Sequence, residues 1–209
     1  QILYAPDYGV PQIRRRIFFI GIRKDVGQVS FPKKTNDPSN YVSCSDAISD
    51  LPSLENTLGE EIQNYNNNPK TEYQKLMRKN SSKIYNHIAT NHTEEVKKVI
   101  SLVPDGGNYK DLPDGVGTSR KFNEAWTRYN SKKPSKTIDT GHRNHFHYKY
   151  NRIPTVRENA RLQSFPDNFI FIGNKTQQYR QVGNAVPPLL SYNVAKEILR
   201  IIGDSDEKA

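Results

Sequence analysis

Cysteine occurs once in this chain, at Cys44, so no disulfide framework can form within it and no cysteine-built zinc site is available. Hydrophobic residues make up only 34% of 209 residues, with a mean hydropathy of -0.84. The length suits one ordinary domain or two small ones. So apolar-poor a chain can build only a modest core, and it does not read as a self-sufficient two-layer globule. No apolar run approaches the roughly 18 residues of a membrane span, and no charged segment leads into an apolar secretory core. The expectation is a cytoplasmic chain with no membrane partner. Glycine is also badly placed for a phosphate cradle. Neither Gly106-Gly107 nor "GVGTS" at 115–119 matches a P-loop or a G-x-G-x-x-G turn, so both read as turn glycines.

What the chain does have is positive charge in one place. Residues 120–180 carry 13 of the 31 Lys and Arg but 4 of the 22 Asp and Glu, which accounts for the whole net charge of +9. Trp126, Tyr129, Phe146, Tyr148, Tyr150 and Tyr179 are interleaved there. Cations beside flat apolar faces suit phosphates and bases, although a solvated basic face has the same composition. Arg128, Lys132, Lys133, Arg143, Asn144 and His145 are the nucleic-acid candidates. Arg143 and Asn144 have the donors and acceptors for guanine and adenine edges respectively. His142, His145 and His147 lack a neighbouring cysteine or carboxylate, so phosphate contact or packing is preferred to metal.

Periodicity places several elements. "CSDAISDLPSL" predicts a short helix capped by Ser45, with Ala47, Ile48 and Leu51 apolar and Pro52 ending it. Residues 55–90 show weak periodicity and predict little. Val96, Val99, Ile100 and Val103 mark one face of a helix from Thr93 that stops at Pro104. Thr155 with Glu158 forms a capping box, predicting a helix to about Phe165. Arg157 and Arg161 share a face of it; they could meet a phosphate or carboxylate, but from spacing alone exposed solubilising arginines are favoured. Gly183-Asn184 reads as a turn, followed by a helix opened by Pro187-Pro188 with Leu190, Val194, Ile198 and Ile201 on one stripe. The tail at 204–209 reads as frayed.

Near the start, "YGVPQIRRRIFFIG" presses three arginines against an apolar run. As an extended segment it puts Gln12, Arg14 and Arg16 on one side and Ile13, Arg15 and Ile17 on the other. Together with "RIPTVRENARLQSFPDNF" and "QYRQVGNAVPPLL", it resembles, in order, the eighth, ninth and tenth conserved motifs of DNA cytosine-5 methyltransferases. "SCSDAISDLPSL", "VPDGGNYKDLP" and "KPSKTID" resemble weaker signatures of that family's recognition region.

The resemblance implies an α/β (mixed α+β) architecture: the end of a Rossmann-like methyltransferase sheet at 1–40, an irregular target recognition domain at 41–182 and a returning turn and helix at 183–203. It implies that Arg16 helps hold a flipped cytosine, with Arg14 and Gln12 supporting the pocket; a buried structural ion pair is the alternative for one arginine, Arg15 on the opposite face. It implies that Gly183, Asn184 and Ala185 border S-adenosyl-L-methionine, and that double-stranded DNA is the partner. Ala185 stands where some members have serine, removing one hydroxyl. The family's nucleophilic Pro-Cys loop, Glu-Asn-Val triplet and Phe-x-Gly-x-Gly motif are absent, and Cys44 follows the eighth motif where the nucleophile should precede it. The expectation is the C-terminal portion of a longer enzyme or a split subunit, inactive without its catalytic N-terminal half. A non-catalytic DNA-binding module and an RNA-directed relative are the competing readings.

Overall fold

The computed structural model describes residues 1–116, 125–141 and 144–206. Its architecture is mixed α/β, with two-stranded sheets and short helices joined by long irregular connections. β1 (Ile2–Tyr4) pairs antiparallel with β2 (Arg15–Ile17), Leu3 facing Arg16. Between them Ala5–Tyr8 makes one turn of 3-10 helix closed by Gly9 at φ 77°, a left-handed conformation that glycine adopts without a Cβ clash. The last helix, α6 (Pro188–Asp206), lays Leu190 and Val194 against Leu3, Ala5, Tyr8 and Val10. The two ends of the sequence thus share one small core.

A larger core lies between them. α1 (Cys44–Ile48), α2 (Glu72–Arg78), α4 (Val156–Leu162) and α5 (Lys175–Asn184) bury Cys44, Ile48, Leu51, Tyr73, Met77, Ala160, Leu162, Tyr179 and Val182. Ser43, not Ser45, caps α1: its hydroxyl accepts from Asp46 N, and Asp46 answers at the Ser43 amide. Residues 55–90, unreadable by periodicity, form an antiparallel pair, β3 (Ile62–Gln63) with β4 (Ile84–Tyr85), around α2. Two-residue strands and a seven-residue helix are too short to leave a periodic trace.

A third cluster surrounds α3 (Glu94–Leu102), where Ile100 and Val103 meet Phe146 and Ile153. Thr93 caps this helix as the sequence predicts, but Val96 is exposed. β5 (Thr127–Arg128) and β6 (His145–Phe146) pair in parallel beside it. α4 has the predicted Thr155/Glu158 capping box but ends at Leu162 rather than Phe165, because Ser164 turns left-handed at φ 67°. Gly183 and Asn184 are not a turn but the last residues of α5, and the chain turns only at Ala185. Among the described residues no helix is long and apolar enough to cross a membrane.

Candidate base pocket and nucleic-acid interface

The Gln-x-Arg-x-Arg segment alternates as expected, but its polar face is largely consumed inside the protein. Gln12 is fully buried; its Nε2 donates to Gln163 Oε1, and its Oε1 accepts from Arg14 at 3.2 Å and from Ile138 N at 3.2 Å. Gln163 passes the chain of amides on, donating to Ala185 O at 2.7 Å. Arg14 is 2% exposed and donates to Gly183 O at 2.6 Å, Ala185 O at 3.2 Å and Ile138 O at 3.3 Å. Residues 12–14, 163 and 183–185, far apart in sequence, therefore meet at one buried junction. Arg15, read as the buried structural arginine, is exposed, and Arg14 takes that role with carbonyl partners instead of a carboxylate. Arg16 is half-buried, donates to Arg15 O at 3.0 Å, and has its basicity lowered by burial. On the polar face, Gln12 and Arg14 are spent on internal bonds, and Arg16 is the most exposed of its three side chains.

Gly183 is explained by packing. A Cβ there would stand 2.4 Å from Asp139 O, and no backbone neighbour can yield that far. What is left facing outward at this corner is the Asn184 side chain, exposed, and Val186, 40% exposed. An amide beside an aliphatic group fits one edge of a nucleoside cofactor, while the carbonyls of Gly183 and Ala185 are already occupied.

The nearby basic loop is attached to the same segment. Ser135 bridges Gln12 in parallel, Ile13 N donates to Ser135 O at 2.8 Å, and Thr137 Oγ1 donates to Ile13 O at 2.6 Å. On this loop Lys132 and Lys133 are exposed, and Lys133 O accepts from Cys44 N at 2.9 Å. The other nucleic-acid candidates fare differently. Arg128 is corrected: it is 5% exposed, and its guanidinium ties the C-terminal end of α3, through Ile100 O at 2.5 Å and Val103 O at 2.7 Å, to His147 O at 2.9 Å. A charge-bearing side chain that caps carbonyls inside the protein cannot also meet phosphate. Asn144 donates to Asp139 Oδ2 at 2.8 Å, stapling the ends of the 139–144 loop, so its amide is not free to read adenine in this arrangement. His145 stacks on Tyr129 at 5.2 Å and is half-buried. Arg143, like His142, lies outside the described residues.

Two buried ion systems escaped the sequence altogether. Arg157 and Arg161, expected at the surface, are both 0% exposed. Arg161 grips Asp50 at 2.7 Å and Asp167 at 2.6 Å; burial would lower its pKa, but Asp167 and Asp50 raise it instead. Arg157 donates to the carbonyls of Tyr85, Pro166 and Phe169, and burial pulls it down to about 10, leaving it charged at neutral pH. Beside them Arg152 forks onto Glu158 at 2.7 and 2.6 Å. Burial opposes that carboxylate's ionisation, yet Arg152 and His147 hold it well below the usual range. Cys44 is fully buried with its thiol pKa pushed up by burial, so it has no nucleophilic character.

The family of this chain follows from comparison with known proteins. A model for C-5 cytosine-specific DNA methylase matches residues 1–200, and the chain belongs to that family. It is 40% identical over 205 residues to Type II methyltransferase M1.HphI of Haemophilus parahaemolyticus, covering 96% of this chain and 47% of the relative. It is 37% identical over 233 residues to Type II methyltransferase M.DdeI of Desulfomicrobium norvegicum, covering 98% and 56%. A crystal structure of an E. coli prophage-encoded protein described as a DNA modification methyltransferase superposes with a TM-score of 0.77 at 25% identity, over 97% of this chain and 60% of that one. The chain spans about half the length of the curated relatives it matches.

Proposed function

We propose that this chain supplies the DNA-recognition and base-gripping side of a DNA cytosine-5 methyltransferase of a restriction-modification system. The observation that carries the reading is the buried junction of Gln12, Arg14, Gln163 and Ala185, which anchors the segment bearing Arg16, while Ser135 and Thr137 tie the Lys132–Lys133 loop to that same segment. Residues 1–40 then belong with the catalytic sheet, 41–182 form the target recognition domain, and 183–203 return to the catalytic side. Ile2, Ile17 and Phe19, at 59%, 62% and 93% exposure, are the apolar face against which further catalytic strands rest.

In this reading an extruded cytosine is held by the free donors of Arg16, since guanidinium forks suit carbonyl and phosphate oxygens. Arg14 and Gln12 act through the backbone they brace. S-adenosyl-L-methionine, when bound, supplies the methyl group; Asn184 and Val186 border it from this side, most of its contacts coming from the catalytic half. The buried Cys44 cannot attack C6, so this chain alone transfers no methyl group.

DNA contact is tested by binding. Lys132→Ala is expected to weaken binding to all duplexes alike and to reduce the salt slope by about 0.9. Arg143→Ala is expected to relax preference at one position by about 1–3 kcal/mol. Fluorescence anisotropy with specific and random duplexes checks both; identical losses from both changes on every duplex would remove Arg143 as a reader.

A further inference from the structure

We propose that a polar groove of about 430 Å³, running from Ser49 past Asn56 and Asn66 to Lys70 and Lys149, is a second contact for the DNA strand, with Lys149 and Lys70 as its phosphate ligands. This rests on the reading of the chain as a DNA-recognition element, and neither Lys70 nor Lys149 is among the nucleic-acid candidates of the sequence.

Several buried groups are committed to holding one surface turn. His147 is buried, and its Nδ1 accepts from Lys149 N at 3.0 Å and Tyr150 N at 3.1 Å. The neutral ring's proton therefore sits on Nε2, 3.6 Å from Glu158. Tyr148 and Tyr150 stack on the two sides of the ring, each at 4.6 Å. Arg128 closes the turn, donating to Tyr150 O at 3.3 Å and Asn151 Oδ1 at 3.0 Å. A buried cation, a buried imidazole and two tyrosines thus fix a turn whose exposed side chains are Lys149 and Asn151. Fixing the backbone of a lysine before binding removes part of the ordering cost that a flexible basic loop incurs on meeting a polyanion.

The opposite wall is placed by the same logic. Lys70 is exposed, and its amide donates to Gln74 Oε1 at 2.6 Å, which holds it to the start of α2. Exposed amides of Asn56 and Asn66 line the floor between the two lysines, and Glu55 is the carboxylate of the lining. Helix α1 stands between the groove and the basic loop already described. α1 has its N-terminal amides on Lys133 O and Ser131 O, and Ser49 at its other end lines the groove. Five residues of helix span about 7 Å. The end of the groove at Ser49 is therefore about that far from the backbone that carries Lys133.

The test uses the 209-residue chain and a labelled random-sequence duplex of about 30 bp, followed by anisotropy across a sodium chloride series. Lys149→Ala and Lys70→Ala are each expected to weaken binding several-fold and to lower the salt slope by about 0.9, the signature of one lost phosphate contact. Glu55→Gln is expected to strengthen binding. Lys75→Ala, at a lysine of α2 already paired with Glu72 at 2.6 Å, is expected to change neither. Affinity and slope unchanged in both lysine variants, while Lys132→Ala still weakens binding, would overturn the groove and leave the recognition reading intact. Failure of the unmodified chain to bind duplex DNA at low salt would remove both.

Discussion

Arg161→Ala is expected to cost about 3–5 kcal/mol of folding stability, a large share of the roughly 5–15 kcal/mol that holds a domain folded. The guanidinium is fully buried and forks onto two carboxylates that are themselves 0% exposed, Asp50 beyond α1 and Asp167 after α4. Removing it leaves Asp50 only the longer contact to Arg78 at 3.4 Å, leaves Asp167 with Arg157 at 3.8 Å and the Tyr65 hydroxyl, and takes away the donor to the carbonyl of Ala47 at 3.0 Å. Much of the cost is the penalty of two buried carboxylates left with weaker partners rather than the net worth of the pair, so Arg161→Lys, which keeps the charge but cannot fork, should recover only part of the loss. Urea denaturation followed by circular dichroism measures it. A midpoint equal to that of the unmodified chain would mean that Arg161 does not anchor Asp50 and Asp167 in solution.

Acid is expected to unfold the protein steeply. Burial pushes His87 down to about 4 and His147 down to about 3, so both stay neutral in the folded state at pH values where an unfolded histidine is charged. The sign follows directly. Above an unfolded pKa of about 6.5 neither state binds these protons and stability is level; below it the unfolded chain takes up about two protons that the folded chain refuses. Stability then falls by up to about 2.7 kcal/mol per pH unit, ending for His87 near pH 4 and for His147 near pH 3. Glu158 adds to the loss at the acid end, because its ionised form is stabilised by Arg152 and it is neutralised more readily once unfolded. Denaturation midpoints at pH 8, 6, 5 and 4 give the curve, and His87→Gln should reduce its slope by one proton. A flat profile down to pH 5 would show that the two rings are accessible to protons in the native state.

The sequence made the capped and periodic elements legible. Thr93 and Thr155 announce α3 and α4 because capping is a local contract between residues three apart, and α6 declares itself through a long stripe opened by proline. The order of the three motifs pointed to the family, since each carries its own residue pattern, but not to the buried bonds that join them. What could not be read was where the charges go. Arg128, Arg157 and Arg161 look alike on paper as surface cations, yet their partners are the carbonyls of Ile100 and Phe169 and the carboxylates of Asp50 and Asp167. Most of those partners are supplied by segments distant in sequence, and no spacing rule reports them. The same limit hid the role of Gly183, whose missing Cβ is demanded by the backbone of Asp139 rather than by a turn.

The most direct test of the recognition role is a graft. Residues 41–182 of this chain, placed in the corresponding position of the Haemophilus parahaemolyticus relative that is 40% identical to it, should redirect methylation. Bisulfite sequencing of DNA from cells expressing the graft is expected to show cytosines methylated in a sequence different from the one the unmodified relative marks. Methylation that persists at the relative's own sequence would contradict the assignment of target recognition to this chain.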